Sequence, residues 1–293
     1  MGVMRWRGGT NVRRLALAGS ILAAGSLLAA CSSDDKAPVP IAVVLTQAGD
    51  GALSLSAPDT TKSGAVKISF KNDGQGPASA EVIGVEGTHT VDEVMEVFGG
   101  DEGGPIPTWL KAAGGVGSTA PGQTSTATIE LVEGSYYVIG QAESEDESEG
   151  PRPASATLQV SGDGGAKLPS AGTTIVTTDY AFKVDGDLKA GANTVRFDND
   201  GNQIHHIQAF PITPGSSFDD AKAFFLTEGE PTGPPPLDFE GAVGTAALDA
   251  GAALVTTMDL KAGPYAFVCF IQDRQGGPPH FIKGMIQEVT VGS

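Results

Sequence analysis

The chain has 293 residues, with 35 Asp and Glu against 18 Lys and Arg, a net charge of −17. That balance excludes nucleic acid as a partner, because phosphates are met by Lys and Arg, and favours cationic partners through a salt-screened field. The length suits about two domains, and the 2 cysteines leave no room for a disulfide framework.

Residues 1–30 read as an export signal rather than as fold. Arg5, Arg7, Arg13 and Arg14 form a basic start, "LALAGSILAAGSLLAA" an apolar core too short for a good membrane span, and "LAAC" a small-residue cleavage site. The cysteine at the cut resembles a bacterial lipoprotein signal. That resemblance implies that Cys31 becomes the lipidated first residue, anchoring the protein to a membrane of the cell envelope, outside the cytoplasm. Arg13-Arg14 reads only weakly as a twin-arginine signal. Loss of the leader takes four arginines and no acid, so the mature chain is more acidic still.

Residues 31–39 read as a polar tether. Two halves follow, 40–160 and 173–293, separated by the linker "SGDGGAKLPSAG" at 161–172. The halves repeat each other. "VKISFKNDGQG" at 66–76 matches "NTVRFDNDGNQ" at 193–203, Gly134 and Tyr136 match Gly263 and Tyr265, and both halves close on an alternating strand, "ATLQV" or "QEVTV". Short runs of Val, Ile, Thr, Tyr and Phe between Gly, Pro and Asn/Asp turns predict an all-β protein of two tandem antiparallel sandwiches. Helical stretches are few. "THTVDEVMEVF" (88–98) and "SSFDDAKAFFL" (216–226) each open on Ser/Thr and early acids, and occupy the same place in each half. "ESEDESE" (143–149), five acids in seven residues, reads as a solvated loop.

The chain has four histidines. His89 falls at the start of the first helical stretch and reads as a surface residue. His205, His206 and His280 fall in the second half with Cys269. Alternation along a strand puts Tyr265, Phe267, Cys269 and Ile271 on one face, so Cys269 is expected mid-strand, pointing inward. A lone cysteine there is ordinarily a small apolar core residue. Two histidines and Met285 alongside make the soft donor set that suits copper cycling between two oxidation states. His205 and His206 are adjacent and face opposite ways; the Asn-x-Gly spacing favours His205, with His206 the alternative.

Phe197-x-Asn199-x-Gly201-x-x-x-His205, Gly263-x-Tyr265-x-Phe267-x-Cys269, His280 with Gly284-Met285, and the closing "QEVTV" together resemble the cupredoxins, the plastocyanin-like blue-copper proteins. The resemblance covers 173–293 and implies a Greek-key sandwich holding one type 1 copper ion. His205, Cys269 and His280 would be the equatorial ligands and Met285 the axial one. It departs from the family in one respect. Ten residues, "FIQDRQGGPP", separate Cys269 from His280, where plastocyanin-like proteins keep only a few. The first half resembles the same fold with the site erased: Ala78, Gly140 and Ala154 stand where His205, Cys269 and Met285 stand in the second.

The implied function is single-electron transfer by an envelope copper protein with an unidentified redox or copper partner. Copper storage or delivery, and a metal-free binding or structural lipoprotein, are the alternatives. An enzyme is not expected, because four histidines without a His-x-His pair cannot build the trinuclear cluster of a multicopper oxidase. A Cys–His hydrolase is not expected either, because Cys269 lacks an activating environment.

Overall fold

The computed structural model describes residues 36–98, 104–142, 151–227 and 233–293. The leader, Cys31 and the acidic run at 143–149 lie outside the described residues. The described residues include sixteen strands and two short helices. The first half contains β1 (Val39–Gln47), β2 (Leu53–Ser56), β3 (Thr60–Asp73), β4 (Ala78–Val85), α1 (Val91–Phe98), β5 (Leu110–Thr119), β6 (Thr124–Leu131), β7 (Gly134–Ala142) and β8 (Ala154–Asp163). The second contains β9 (Thr173–Thr178), β10 (Ala181–Asp185), β11 (Gly191–Asn199), β12 (Gln208–Pro211), α2 (Phe218–Leu226), β13 (Val243–Gly244), β14 (Ala253–Leu260), β15 (Gly263–Val268) and β16 (Ile286–Val291).

The pairing is the same in both halves. β1 runs parallel to β3, and β9 parallel to β11. One sheet of the first half is β2-β1-β3-β6 and the other β8-β7-β4-β5; their counterparts are β10-β9-β11-β14 and β16-β15-β12-β13. Alternation decides which face is buried. In β1, Ile41, Val43 and Leu45 point into the core, as do Val66, Ile68 and Phe70 in β3. In β15, Tyr265 and Phe267 join the main core, while Ala266 and Val268 face a second cluster under α2.

The halves are not separate beads. β14 pairs with β6, so their sheets fuse, with Ala127 opposite Thr256. These two residues are equivalents in the repeat, so the junction has local two-fold character. The main core runs through both halves without a break, and residues Asp35–Ser293 form one compact unit.

Both helices are capped as the sequence suggests, although each starts later than the stretch read for it. Thr90 Oγ1 accepts from Glu93 N at 3.3 Å, and Glu93 accepts from Thr90 N at 2.7 Å. Ser217 and Asp220 repeat the reciprocal pair at 3.2 and 2.8 Å.

The shared Asn-Asp-Gly has one structural job in each half. Fully buried Asn199 donates to the carbonyls of Gln203 and Leu248, both at 2.8 Å, and accepts from Gly201 N at 2.9 Å. Asn72 does the same with Gly76, Thr119 and Gly74 at 2.8, 2.7 and 2.8 Å. A buried amide with every group met rigidifies its loop. In the second half that loop leads directly into His205.

Candidate metal centre

His205, Cys269 and His280 converge at one end of the second sandwich, all fully buried. Nδ1 of His205 lies 3.8 Å from Cys269 Sγ, and Nδ1 of His280 lies 3.5 Å from it. The imidazole centroids are 4.7 Å apart.

Each side chain is held by its backbone. His205 exchanges two hydrogen bonds with Leu248, at 3.0 and 2.8 Å, just before β12. Cys269 stands one residue beyond β15, not mid-strand as its apolar flanks suggest. The ladder ends at Val268↔Ile286, after which Cys269 N donates to Met285 O at 3.3 Å and Phe270 N to His206 Nε2 at 3.0 Å. The expected inward face persists through that turn, since Cys269 packs in the main core with Tyr265 and Phe267.

The long loop folds back as a narrow hairpin. Gln272 bridges Pro279, and His280 N donates to Ile271 O at 2.8 Å. Gly276 and Gly277, with φ of 84° and 110°, supply the left-handed backbone that reverses the chain. A tight turn follows. The carbonyl of His280 accepts from Lys283 N and Met285 N, both at 2.9 Å. Met285 is thereby buried in the core cluster that holds Cys269.

His206, the alternative to His205, turns away. Its ring packs edge-on to Phe270 at 6.2 Å, and its Nε2 is used by the Phe270 N–H. Desolvation, with repulsion from His280 and His205 adding to it, pushes its pKa down to about 3. His89 is not a free surface residue. It stacks on Trp109 with centroids 3.9 Å apart and planes 11° from parallel.

Two residues that the sequence reading missed complete the site. Asp179 Oδ1 lies 2.9 Å from His205 Nε2, and Asp273 Oδ1 lies 3.1 Å from His280 Nε2. A carboxylate on Nε2 fixes the tautomer that leaves Nδ1 unprotonated and facing the sulfur. Burial acts to raise both aspartates. Hydrogen bonds from His205, Asn202 and Gln203 outweigh it at Asp179, and Lys283 and Tyr180 outweigh it at Asp273, so both stay below the ordinary carboxylate range. Gly201 makes room for this. A Cβ there would collide with Asp179 and stand 3.0 Å from His205 Nε2.

Burial pushes the His205 pKa down, against the pull of Asp179. It pushes His280 down to about 4, with repulsion from His205 adding to it. The Cys269 thiol is pushed up to about 12 by desolvation. The metal-free site is therefore two neutral imidazoles and a neutral thiol at pH 7.

The spacing fits a cation. A metal about 2.0–2.1 Å from each nitrogen and about 2.3 Å from sulfur, with angles between tetrahedral and trigonal, sets N···S separations of about 3.5–3.8 Å. The donor set resembles a type 1 copper site. Among the described residues, the first half has no equivalent. Gly140 pairs with Ala154, and a Cβ at Gly140 would stand 2.7 and 2.8 Å from Leu55 and Leu45, which fill the space. Gln47 stands where Asp179 stands. It accepts from Gln75 N at 3.0 Å, as Asp179 does from Asn202 N at 3.0 Å.

Both halves are β-sandwiches of matching strand order, each with a parallel pair, β1 with β3 and β9 with β11. No protein-family model matches the chain, and no curated protein does. Among solved structures, the chain is similar to an auracyanin from Roseiflexus castenholzii at 23% identity, over 42% of this chain and 100% of that one, with a TM-score of 0.27. A multicopper oxidase matches at 16% identity over 86% and 88% of the two chains, TM-score 0.22. A copper-containing nitrite reductase from Thermus scotoductus matches at 10% identity over 86% and 61%, TM-score 0.22.

Proposed function

We propose that the protein binds one copper ion through His205, Cys269 and His280, with Met285 as a weak axial ligand, and passes single electrons to and from a partner. The carrying observation is the approach of two Nδ1 atoms to one buried sulfur, at 3.8 and 3.5 Å. The distances alone suit zinc as well. Met285, a thioether buried in the same core cluster as Cys269, and the affinity order that places copper above zinc, favour copper. Bound copper supplies the one-electron couple. The chain supplies a rigid, dry site in which little has to move between the two oxidation states.

The reading is of a carrier rather than an enzyme. Of four histidines in the chain, two face the sulfur, His206 serves the Phe270 amide and His89 stacks on Trp109. A lipid on Cys31, holding the protein to the outer side of a membrane, belongs to the same proposal and rests on the leader sequence. So does a cationic partner, on the net charge.

Titrating purified protein with Cu(II) tests the reading. One equivalent should produce an intense blue thiolate-to-copper band, bleached by ascorbate and restored by ferricyanide. Tight Cu(I) binding without a blue band would point to storage or delivery. No copper binding would return Cys269 to the role of core residue.

A further inference from the structure

The ligand loop is tied to the half that has no metal site. Arg274, at the tip of the Cys269–His280 hairpin, is largely buried, with 11% of its side chain exposed. Its guanidinium donates to the carbonyls of Pro107 and Leu110 of the first half, at 2.9 and 3.0 Å, and to the carboxylate of Asp249. Its own carbonyl accepts from Ile106 N at 2.8 Å, and its amide donates to Gln203 Oε1 at 2.8 Å. Both terminal nitrogens of the guanidinium, the amide and the carbonyl of this residue are thereby used, and three of the contacts reach the first half. The residue before it is Asp273, whose carboxylate meets His280 Nε2.

We propose that the first sandwich is a clamp for the ligand loop, with Arg274 as its pin, so that Asp273 and through it His280 are set before the metal arrives. Two physical points support this. A ten-residue connection between two ligands loses more conformational freedom on ordering than a short one, so an outside tie stabilises it most. A planar guanidinium can meet two carbonyls and a carboxylate at once, which an ammonium cannot. The duplicated half would then be retained after losing its ligands because it holds those of its sibling. Arg274 touches neither the sulfur nor an imidazole; it is a positioning residue. The inference rests on the copper reading only where copper is the probe.

The test uses the full chain with Arg274→Met and Asp249→Asn together, so that no buried carboxylate is left unpaired. In metal-free protein, amide exchange across 270–284 should rise about tenfold or more, the scale of losing charge-assisted hydrogen bonds, while β15 and β16 stay protected. In copper-loaded protein the reduction potential should shift in the same direction as for Asp273→Asn. Adding Asp273→Asn to the pair should then give little further shift, the signature of coupled residues. If the double variant does not fold, Arg274→Lys gives the same readings. Unchanged exchange at 270–284, or potential shifts that simply add, would overturn the clamp. A wild-type protein without a blue band would overturn the copper reading instead, and the exchange experiment would still decide the clamp.

Discussion

Asp273 accepts a hydrogen bond from Nε2 of His280 at 3.1 Å, and with it sets which nitrogen of that ring faces Cys269. Asp179 does the same for His205 at 2.9 Å. A site with a carboxylate behind each imidazole places two extra negative charges near the metal, and these favour the more positive oxidation state.

Asp273→Asn should therefore raise the reduction potential, by weakening Cu(II) relative to Cu(I), and lower Cu(II) affinity by about 10–100-fold. Voltammetry and a chelator competition read the two effects. Asp179→Asn should act in the same direction. An unchanged potential in both variants would show that the carboxylates only shape the loops.

Copper uptake should release about one proton per ion near pH 7. The proton comes from Cys269, whose thiol burial pushes up to about 12; both imidazoles are already neutral, with His280 pushed down to about 4. Apparent Cu(II) affinity should accordingly fall about tenfold for each pH unit lost between 8 and 7. Calorimetry in two buffers of different ionisation enthalpy measures the proton count.

Glu81 gives the fold a separate pH dependence. Its carboxylate accepts from Ala247 N at 3.2 Å, across the junction of the halves, and burial raises its pKa from 4.5 to about 8. Folding thus favours the protonated acid. The stability it contributes is full below pH 4.5 and declines as pH rises toward 8. Gln208 holds the matching place in the second half, opposite Val268 as Glu81 is opposite Ile139. Glu81→Gln should stabilise the protein by on the order of 2 kcal/mol at pH 8 and by little at pH 4.5, as read by denaturant unfolding at the two pH values.

Gly201→Ala should damage the site without touching a ligand. The added carbon meets Asp179 and crowds His205 Nε2, with a cost of roughly 1–3 kcal/mol from overpacking. Thermal unfolding of metal-free protein and Cu(II) affinity should fall together.

Much of this arrangement was legible because scarce residue types carry it. The repeated Phe-x-Asn-Asp-Gly exposed the duplication, and the strand pattern the all-β class. Cys269, His205, His280 and Met285 stood out because the chain holds so few of their kind. Asp179 and Asp273 did not, since they are two among many acids and only loop geometry brings them to Nε2. The end of β15 before Cys269 escaped detection because apolar residues continue past it, and the ladder stops where backbone donors find His206 and Met285 instead. The ties of Arg274 to Pro107 and Leu110 span more than 160 positions of sequence, and no local pattern encodes them. The fusion of β6 with β14 is hidden likewise, because an edge strand that meets another reads like one that does not.

Copper K-edge X-ray absorption on protein loaded with one equivalent of Cu(II), set beside Cys269→Ser, tests the central claim most directly. The account predicts one sulfur at about 2.3 Å or less and two imidazole nitrogens at about 2.0 Å, with the short sulfur lost in the serine variant. A first shell of nitrogen and oxygen alone in the wild-type protein, or identical spectra for the two proteins, would contradict it.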